Sequence, residues 1–359
     1  MTPRQDVRFC TAADGTRIAV ASIGSGPPLV RASHWLSHVQ YDLESPVWQP
    51  WLRELSRDHT YVRFDQRGSG LSDRAIGDLS LDVWVSDLET VVDALGLTRF
   101  PLLGMSQGGA IAIEYIRRHP ERVSHLVLVG AYGRGALQRD PTPPQRLEAA
   151  TLVNMIRVGW GGDNAAFREV FTNRFIPGGT PTQLRWWTDL QRLTASAEGA
   201  ARTLEVFQQV DVMDIAASLR VPTLVMHCRD DIAVPFDEGR RLAAAIPGAR
   251  FVALESANHV LLAGEPAWPV FLDALRTFVA PDAAKVAADG SGADLAALTQ
   301  AESAVLELLA RGLDNHAIAR QLGKSEKTVR NQVSTIFDKL GVRTRAEAIV
   351  RAIGNRAPH

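Results

Sequence analysis

Three short stretches of this sequence hold residue types that together can carry acyl-transfer chemistry. Gly104-Met105-Ser106-Gln107-Gly108 follows an apolar run and opens a helical pattern. In that context Gly-x-Ser-x-Gly describes a sharp turn that presents a hydroxyl at the head of a helix, with glycines where side chains would collide with neighbouring elements. A serine hydroxyl is a weak nucleophile alone: it needs a base to take its proton, and the base needs an acid to orient it. Candidates for both follow along the chain. After the apolar run Val221–Cys228 comes Arg229-Asp230-Asp231-Ile232-Ala233-Val234-Pro235, in which Asp231 is the preferred acid and Asp230 the alternative. After Arg250–Leu254 comes Glu255-Ser256-Ala257-Asn258-His259, which makes His259 the base. The backbone N–H of Gln107, at the start of the helix, is placed to stabilise an oxyanion.

A second group lies near the C-terminal end. Lys327, Thr328, Arg330, Asn331 and Gln332 occupy the polar side of a helical pattern whose apolar side holds Val329, Val333, Ile336 and Leu340. Arginine and lysine contact phosphates or guanine, and asparagine and glutamine read adenine edges, when such a helix enters the major groove of double-stranded DNA. The same pattern also suits the solvated face of a small helical dimerisation domain. No metal site is expected: the nine histidines do not cluster at ligand spacing, and Cys10 and Cys228 are far apart. Serine chemistry calls for no organic cofactor.

The elements that must position these residues read as two blocks. Val7–Thr11 and Thr16–Ile23 flank the turn Ala13-Asp14-Gly15 and form a hairpin pattern. From Leu29 onward strands alternate with helices: Tyr61–Phe64, a helix with Leu81, Trp84, Leu88, Val91 and Leu95 at helical spacing, Phe100–Met105, a helix ending at His119-Pro120, then His125–Val129. Such alternation predicts an α/β fold with a mostly parallel sheet covered on both faces. The pattern lapses between about residues 132 and 217, a largely helical stretch with Trp160, Phe167, Phe171, Phe175, Trp186, Trp187 and Phe207, and resumes at Val221. An insertion of that size is a helical cap, whose aromatics either form its own core or line an apolar pocket beneath it. The last helix of the first block spans Trp268–Val279. Residues 281–297 are rich in Ala, Gly and Asp and read as a flexible linker with a span of roughly 20–25 Å. From 298 to 359 the pattern is all-α. Thr299 and Glu302 have capping-box spacing, Gly312 and Asp314 separate the first helix from a second, Gly323-Lys324 makes the turn, Ser325 caps a third, and Thr344 with Glu347 caps a fourth packed through Ala346, Ile349 and Val350.

Bulk composition agrees with two domains. At 359 residues, with 46% hydrophobic and 22% charged residues, the chain has the make-up of a folded globular protein. The formal net charge of -1 conceals an asymmetry: residues 298–359 carry ten Lys/Arg against six Asp/Glu, and the remainder carries 29 against 34. A basic unit on an acidic body suits nucleic acid. Two cysteines make no disulfide framework, and residues 1–8 hold no apolar signal segment. No run of about 18 apolar residues occurs. A cytoplasmic protein with no membrane partner is expected.

From about Val7 to Pro281 the chain resembles the α/β-hydrolase superfamily. The serine turn, the acid and the histidine stand in that family's order, and Asp65-Gln66-Arg67-Gly68-Ser69-Gly70-Leu71-Ser72-Asp73 resembles the loop after its fourth strand. The resemblance implies cleavage of an ester, thioester, lactone or carbon–carbon bond through Ser106. A serine at 106 separates the chain from the haloalkane-dehalogenase and epoxide-hydrolase branches, which place aspartate there. Where relatives carry His-Gly after the third strand, this chain reads Ser33-His34-Trp35-Leu36. The second oxyanion donor then falls to Trp35, with Leu36 as the alternative. Loss of one such donor typically costs about 10²–10³ in rate, which fits a slow hydrolase or a domain kept for ligand binding.

The C-terminal block resembles the LuxR-type helix-turn-helix. The matching residues are Glu302, Gly312, Ile318-Ala319, Leu322, Ser325-Glu326-Lys327-Thr328-Val329, Lys339-Leu340-Gly341-Val342 and Arg345-Ala346-Glu347-Ala348. The resemblance implies a four-helix unit, a homodimer formed through the last helix, and sequence-specific DNA binding. Lys324 stands where relatives usually carry an apolar residue, and Gln332 where many carry histidine. The joint expectation is a DNA-binding transcription regulator whose hydrolase domain binds, and slowly hydrolyses, a small organic ester, lactone or related ligand. The alternatives are a metabolic serine esterase or lactonase with an appended dimerisation or localisation tail, and a regulator whose hydrolase fold only binds.

Overall fold

The computed structural model describes residues 4–162, 164–279, 298–310, 313, 315–340 and 348. The chain divides into two compact units, Met1–Val279 and Ala280–His359. The expected linker at 281–297 lies outside the described residues.

The first unit begins with the hairpin β1 (Asp6–Thr11) and β2 (Arg17–Gly24), followed by β3 (Pro28–Arg31), α1 (Trp48–Leu55), β4 (Thr60–Phe64), α2 (Leu81–Ala94), β5 (Phe100–Met105), α3 (Gly108–Arg118) and β6 (Val123–Val129). Helices α4 (Pro143–Gly159), α5 (Ala166–Phe175), α6 (Pro181–Thr194), α7 (Ala197–Gln209) and α8 (Met213–Ser218) come next, and β7 (Thr223–Cys228), α9 (Phe236–Ala245), β8 (Arg250–Leu254) and α10 (Ala267–Val279) close the unit. The eight strands form one sheet in the order β1-β2-β4-β3-β5-β6-β7-β8. The two pairings of β2, with β1 and with β4, are antiparallel. From β4 across to β8 the strands are parallel, as strand–helix–strand crossovers require.

Alternate residues of the central strands serve opposite faces. Leu103 and Val127 join Trp48, Trp51 and Leu224 in one core, while Leu102, Leu126 and Leu128 join Val30, Val91 and Ile111 in the other. Burial on both sides explains the near-continuous apolar runs of β5, β6 and β7. Helix α1, between β3 and β4, has no counterpart in the sequence reading. It packs Trp48, Trp51, Leu52 and Leu55 inward.

The loops at the ends of β3 and β4 are fastened to each other by buried charge. Arg63 Nη1 donates to Asp42 Oδ2 at 2.7 Å and its Nη2 to the Val39 carbonyl at 2.7 Å. Asp65 accepts from the Val39 N–H at 2.9 Å and from the Leu71 N–H at 2.8 Å. Arg67 grips Asp87 of α2 through two bonds, 2.8 and 2.6 Å. The Asp65–Asp73 stretch is therefore a clamp that holds the segment after β3 in place.

The second unit shows α11 (Gln300–Ala310), α12 (Asn315–Leu322) and α13 (Glu326–Leu340) around a core that includes Val305, Leu309, Ile318, Val329 and Ile336. The capping box is formed: the Thr299 N–H donates to Glu302 Oε2 at 2.7 Å, and the Glu302 N–H to Thr299 Oγ1 at 3.3 Å. Lys339 Nζ also donates to Glu302 at 2.7 Å, fastening the end of α13 to the start of α11. Gly323, with φ of 62°, ends α12 in the left-handed conformation, and Ser325 caps α13 by accepting from the Thr328 N–H at 3.1 Å. Of the expected fourth helix only Ala348 is described. It is helical and buried in the same core, and the cap at Thr344 and Glu347 lies outside the described residues. Among the described residues no helix is long and apolar enough to cross a membrane.

Candidate active site and nucleic-acid interface

Ser106 occupies the turn from β5 into α3 with φ of 50°, left-handed for a residue that carries a Cβ. That strain is held by two backbone bonds: the Ser106 N–H donates to the Val129 carbonyl at 3.0 Å, and its carbonyl accepts from the Gly109 N–H at 3.0 Å. The motif's glycines allow close approach. A Cβ on Gly104 would lie 2.8 Å from the Gly109 Cα, and one on Gly108 would lie 2.8 Å from the Ser33 carbonyl oxygen. The second contact sets the start of α3 directly against the segment after β3. Gln107, preceding α3, presents one of the N–H groups that a helix leaves without an internal acceptor.

Asp231 and His259 meet. Asp231 Oδ2 accepts from His259 Nδ1 at 2.6 Å, while Oδ1 accepts the N–H groups of Ala233 and Val234 at 2.8 and 3.0 Å. An ionised carboxylate only accepts, so Nδ1 carries a proton, and in the neutral ring Nε2 is then the nitrogen with the lone pair, the tautomer a general base needs. Burial pushes the Asp231 carboxyl up. The charge and hydrogen bond of His259, the Val234 N–H and His227 outweigh it and hold the group below the ordinary aspartate value. Asp230, the alternative acid, is exposed.

Residues that the sequence did not single out complete this arrangement. Gly130 has φ of 57°, and a Cβ there would stand 3.1 Å from His259 Cε1, so the glycine makes room for the imidazole. His227 Nε2 donates to the Val234 carbonyl at 3.0 Å and lies 3.6 Å from Asp231 Oδ2. Val234 is thus fixed at both its N–H and its carbonyl, which fixes the acid's loop, and burial keeps the His227 ring below its ordinary pKa. Asn258 Oδ1 accepts from the Gly178 N–H at 2.8 Å, and the Val260 N–H donates to the Phe175 carbonyl at 3.1 Å. Both bonds tie the His259 loop to the helical insertion. None of these positions carries a local signature, because each is defined by what lies across the fold from it.

Ser106, Gln107 and His259 line one small cavity together with Trp35 and Leu36. Both candidates for the second oxyanion donor therefore stand at its wall, and Leu36 has φ of 65°. The cavity measures about 20 Å³, room for roughly one water molecule. The insertion's aromatics divide between the two roles left open by the sequence. Phe175 and Trp187 line the cavity, and the Phe175 ring lies 5.6 Å from that of His259. Trp160 stacks on Trp35 at 5.4 Å and Phe171 meets it edge-on at 5.9 Å. Phe207 packs away from the site, stacked on Trp84 at 4.3 Å.

In the second unit Lys327, Thr328, Arg330 and Asn331 are exposed on α13. Arg330 is held loosely by Glu326 at 3.4 Å, and the exposed Ser334, not singled out from sequence, extends the same face. Gln332 differs from its expected outward placement: it is half-buried, and its Oε1 accepts from Lys324 Nζ at 3.0 Å. Lys324 and Gln332, the two positions at which the sequence was read as departing from the family pattern, therefore pair with each other.

Comparison with known proteins gives two family matches: alpha/beta hydrolase fold over residues 41–266 and bacterial regulatory proteins, luxR family, over residues 296–352. A non-heme haloperoxidase of Rhodococcus erythropolis is 30% identical over 261 residues, 70% of this chain and 92% of that protein. The AB hydrolase superfamily protein YisY of Bacillus subtilis (strain 168) is 28% identical over 243 residues, 67% of this chain and 87% of that protein. Among solved structures, an esterase (EaEST) from Exiguobacterium antarcticum superposes with a TM-score of 0.65 at 27% identity, covering 78% of this chain and all of the esterase. The chain belongs to the α/β-hydrolase fold family and carries a luxR-family regulatory domain at its C-terminal end.

Proposed function

We propose that this protein is a DNA-binding transcription regulator whose hydrolase domain binds a small organic ester, lactone or related ligand and slowly hydrolyses it through Ser106, His259 and Asp231. In this reading Ser106 Oγ attacks the carbonyl carbon while His259 Nε2 takes its proton. The alcohol leaves with that proton, and water then repeats the sequence to release the acid. The N–H groups of Gln107 and Trp35 hold the oxyanion, while Asp231 orients the imidazole and stabilises its charged form. The helical insertion caps the ligand, residues 281–297 link the domains, and a homodimer reads a cytoplasmic operator through Lys327, Thr328, Arg330 and Asn331. Gln332 supports that face through Lys324. The supporting observation is the 2.6 Å bond that sets the His259 tautomer on the wall of the cavity that Ser106 also lines. The test is hydrolysis of a panel of small esters and lactones by the full chain and by Ser106→Ala. Turnover by the wild type that disappears in the variant is expected. Equal rates in both would contradict the assignment, and no turnover of any substrate would leave a binding domain only.

A further inference from the structure

The cavity beside Ser106 is smaller than the ligand its chemistry implies. It holds about 20 Å³, roughly one water molecule, and every ester or lactone exceeds that. Room has to come from the wall, and most of the wall is held in place. Met105 and Val129 end β5 and β6, Ser106 is locked by its two backbone bonds, and His259 is held by Asp231. The start of α3 presses on Ser33, just ahead of Trp35. The insertion's share of the wall is Phe175, at the end of α5, and Trp187 of α6. These two helices are bonded to each other inside the insertion: Thr172 Oγ1 and Thr188 Oγ1 are 2.8 Å apart, and Gln191 Nε2 donates to Thr172 Oγ1 at 2.8 Å. Where the chain leaves α6, Thr194 donates through Oγ1 to the Ser37 carbonyl, and its own carbonyl accepts from the Gly70 N–H at 2.8 Å. Around the turn from α5 into α6 the ties are to other loops. The Phe175 carbonyl accepts from the Val260 N–H at 3.1 Å, the Gly178 N–H donates to Asn258 Oδ1 at 2.8 Å, and Gln183 Nε2 donates to the Pro46 carbonyl at 3.3 Å. Trp186 of α6 stacks on Tyr41 at 4.9 Å.

We infer that α5 and α6 act together as a gate, anchored at Thr194, whose connecting turn lifts off the histidine loop to admit ligand to Ser106, an inference that rests on the hydrolase reading of that serine. The turn is bonded to that loop through Val260 and Asn258, so lifting it withdraws Phe175 and opens the cavity on the side of the base. Ligand binds the open arrangement and not the one with a 20 Å³ cavity, so its binding shifts the population between the two. The gate is thereby the part of the hydrolase unit that registers ligand. Phe175 packed on Trp35 and His259, and Trp187 packed on Trp48, keep the open arrangement scarce without ligand. The apparent affinity is reduced by that open fraction.

Tyr41 and Trp186 meet at the edge of the gate and neither lines the cavity, so removing their contact loosens the closed arrangement and leaves the reacting groups alone. In the full chain, Tyr41→Ala and Trp186→Ala should each react with diisopropyl fluorophosphate faster than the wild type, by about 2- to 10-fold, the worth of one aromatic pair. An unfolded chain has no activated serine, so a general loss of structure would slow the reaction instead. Hydrogen exchange gives a second readout that needs no chemistry at Ser106. The Val260 and Gly178 amides should exchange faster in both variants by the same factor, while the Gly70 amide at the anchor and the Ser106 amide in the sheet should not change. Labelling that is no faster in either variant, or unchanged exchange at Val260 and Gly178, overturns the gate and leaves Ser106 as nucleophile. Were the wild type not to react at all, the hydrolase reading would fail separately, and the exchange result alone would decide for or against the gate.

Discussion

At the scale of single residues the proposed chemistry depends on where one proton sits. Asp231 Oδ2 holds the Nδ1 side of His259 and in the proposed mechanism leaves Nε2 as the base, so Asp231→Asn, which can present an N–H in place of an oxygen, should favour the wrong tautomer. The expected fall in kcat is about 10³–10⁴-fold, with little change in KM, measured on any ester the wild type turns over. The same carboxyl lies below its ordinary value in the folded state, so it contributes stability above roughly pH 4 and loses that contribution as the pH falls toward the folded value. The melting temperature of Asp231→Asn should therefore drop less than that of the wild type between pH 5 and pH 3. Gly130 bears on the same proton sterically. In Gly130→Ala the new methyl meets the imidazole at 3.1 Å from a left-handed backbone. Displacing a catalytic ring by a fraction of an ångström should lower kcat by about 10–100-fold, a larger effect than the accompanying loss of stability. Equal activity in the two proteins would show that the ring has freedom the packing denies it.

At the scale of elements, the site is assembled from the ends of parallel strands, and most of those strands were legible in the sequence. The runs 100–105, 123–129 and 221–228 are near-continuously apolar because both faces are covered, and Gly-x-Ser-x-Gly and the acid follow two of them, while the histidine follows the half-buried strand Arg250–Leu254. The strand order was not legible: β3 lies between β4 and β5, a placement set by crossover packing and not by any local pattern. Helix α1 carries an ordinary apolar stripe, Trp48, Trp51, Leu52 and Leu55, at helical spacing, with Pro50 in its first turn, and this signal went unread. The insertion was visible as a lapse in alternation with a largely helical, aromatic-rich pattern. Its connection to the chemistry, through Asn258 to Gly178 and Val260 to Phe175, involves backbone groups with no sequence signature. Asn258→Ala removes the acceptor of the Gly178 N–H. It should lower stability by about 1 kcal/mol, seen as a lower melting temperature, and should also reduce kcat as the His259 loop loosens. A fall in stability with kcat untouched would separate the insertion from the site.

At the scale of the whole molecule, two units of opposite charge balance suit the two different partners proposed for them. The second unit carries the excess positive charge, and the side chains proposed to meet DNA, Lys327, Thr328, Arg330 and Asn331, are exposed, with Arg330 held by Glu326 and Thr328 by Ser325. The expectation for this face came from capping signals and helical spacing. Gln332, expected to face outward, is half-buried and accepts from Lys324 Nζ, a contact that an outward/inward count along one helix does not see. Replacing Lys327 and Arg330 with alanine should weaken operator binding and make its salt dependence shallower by about two phosphate contacts per protomer, read from affinity across a series of salt concentrations. An unchanged slope would place the phosphate contacts elsewhere.

The central claim is that Ser106 is a nucleophile activated by His259. Treating the full chain with a fluorophosphonate and locating the adduct by peptide mass spectrometry tests it without knowledge of the substrate. The account predicts one phosphonate per chain, on Ser106, absent from Ser106→Ala and forming at least about 10³-fold more slowly in His259→Ala. An unlabelled protein, or labelling that persists in Ser106→Ala, would contradict it.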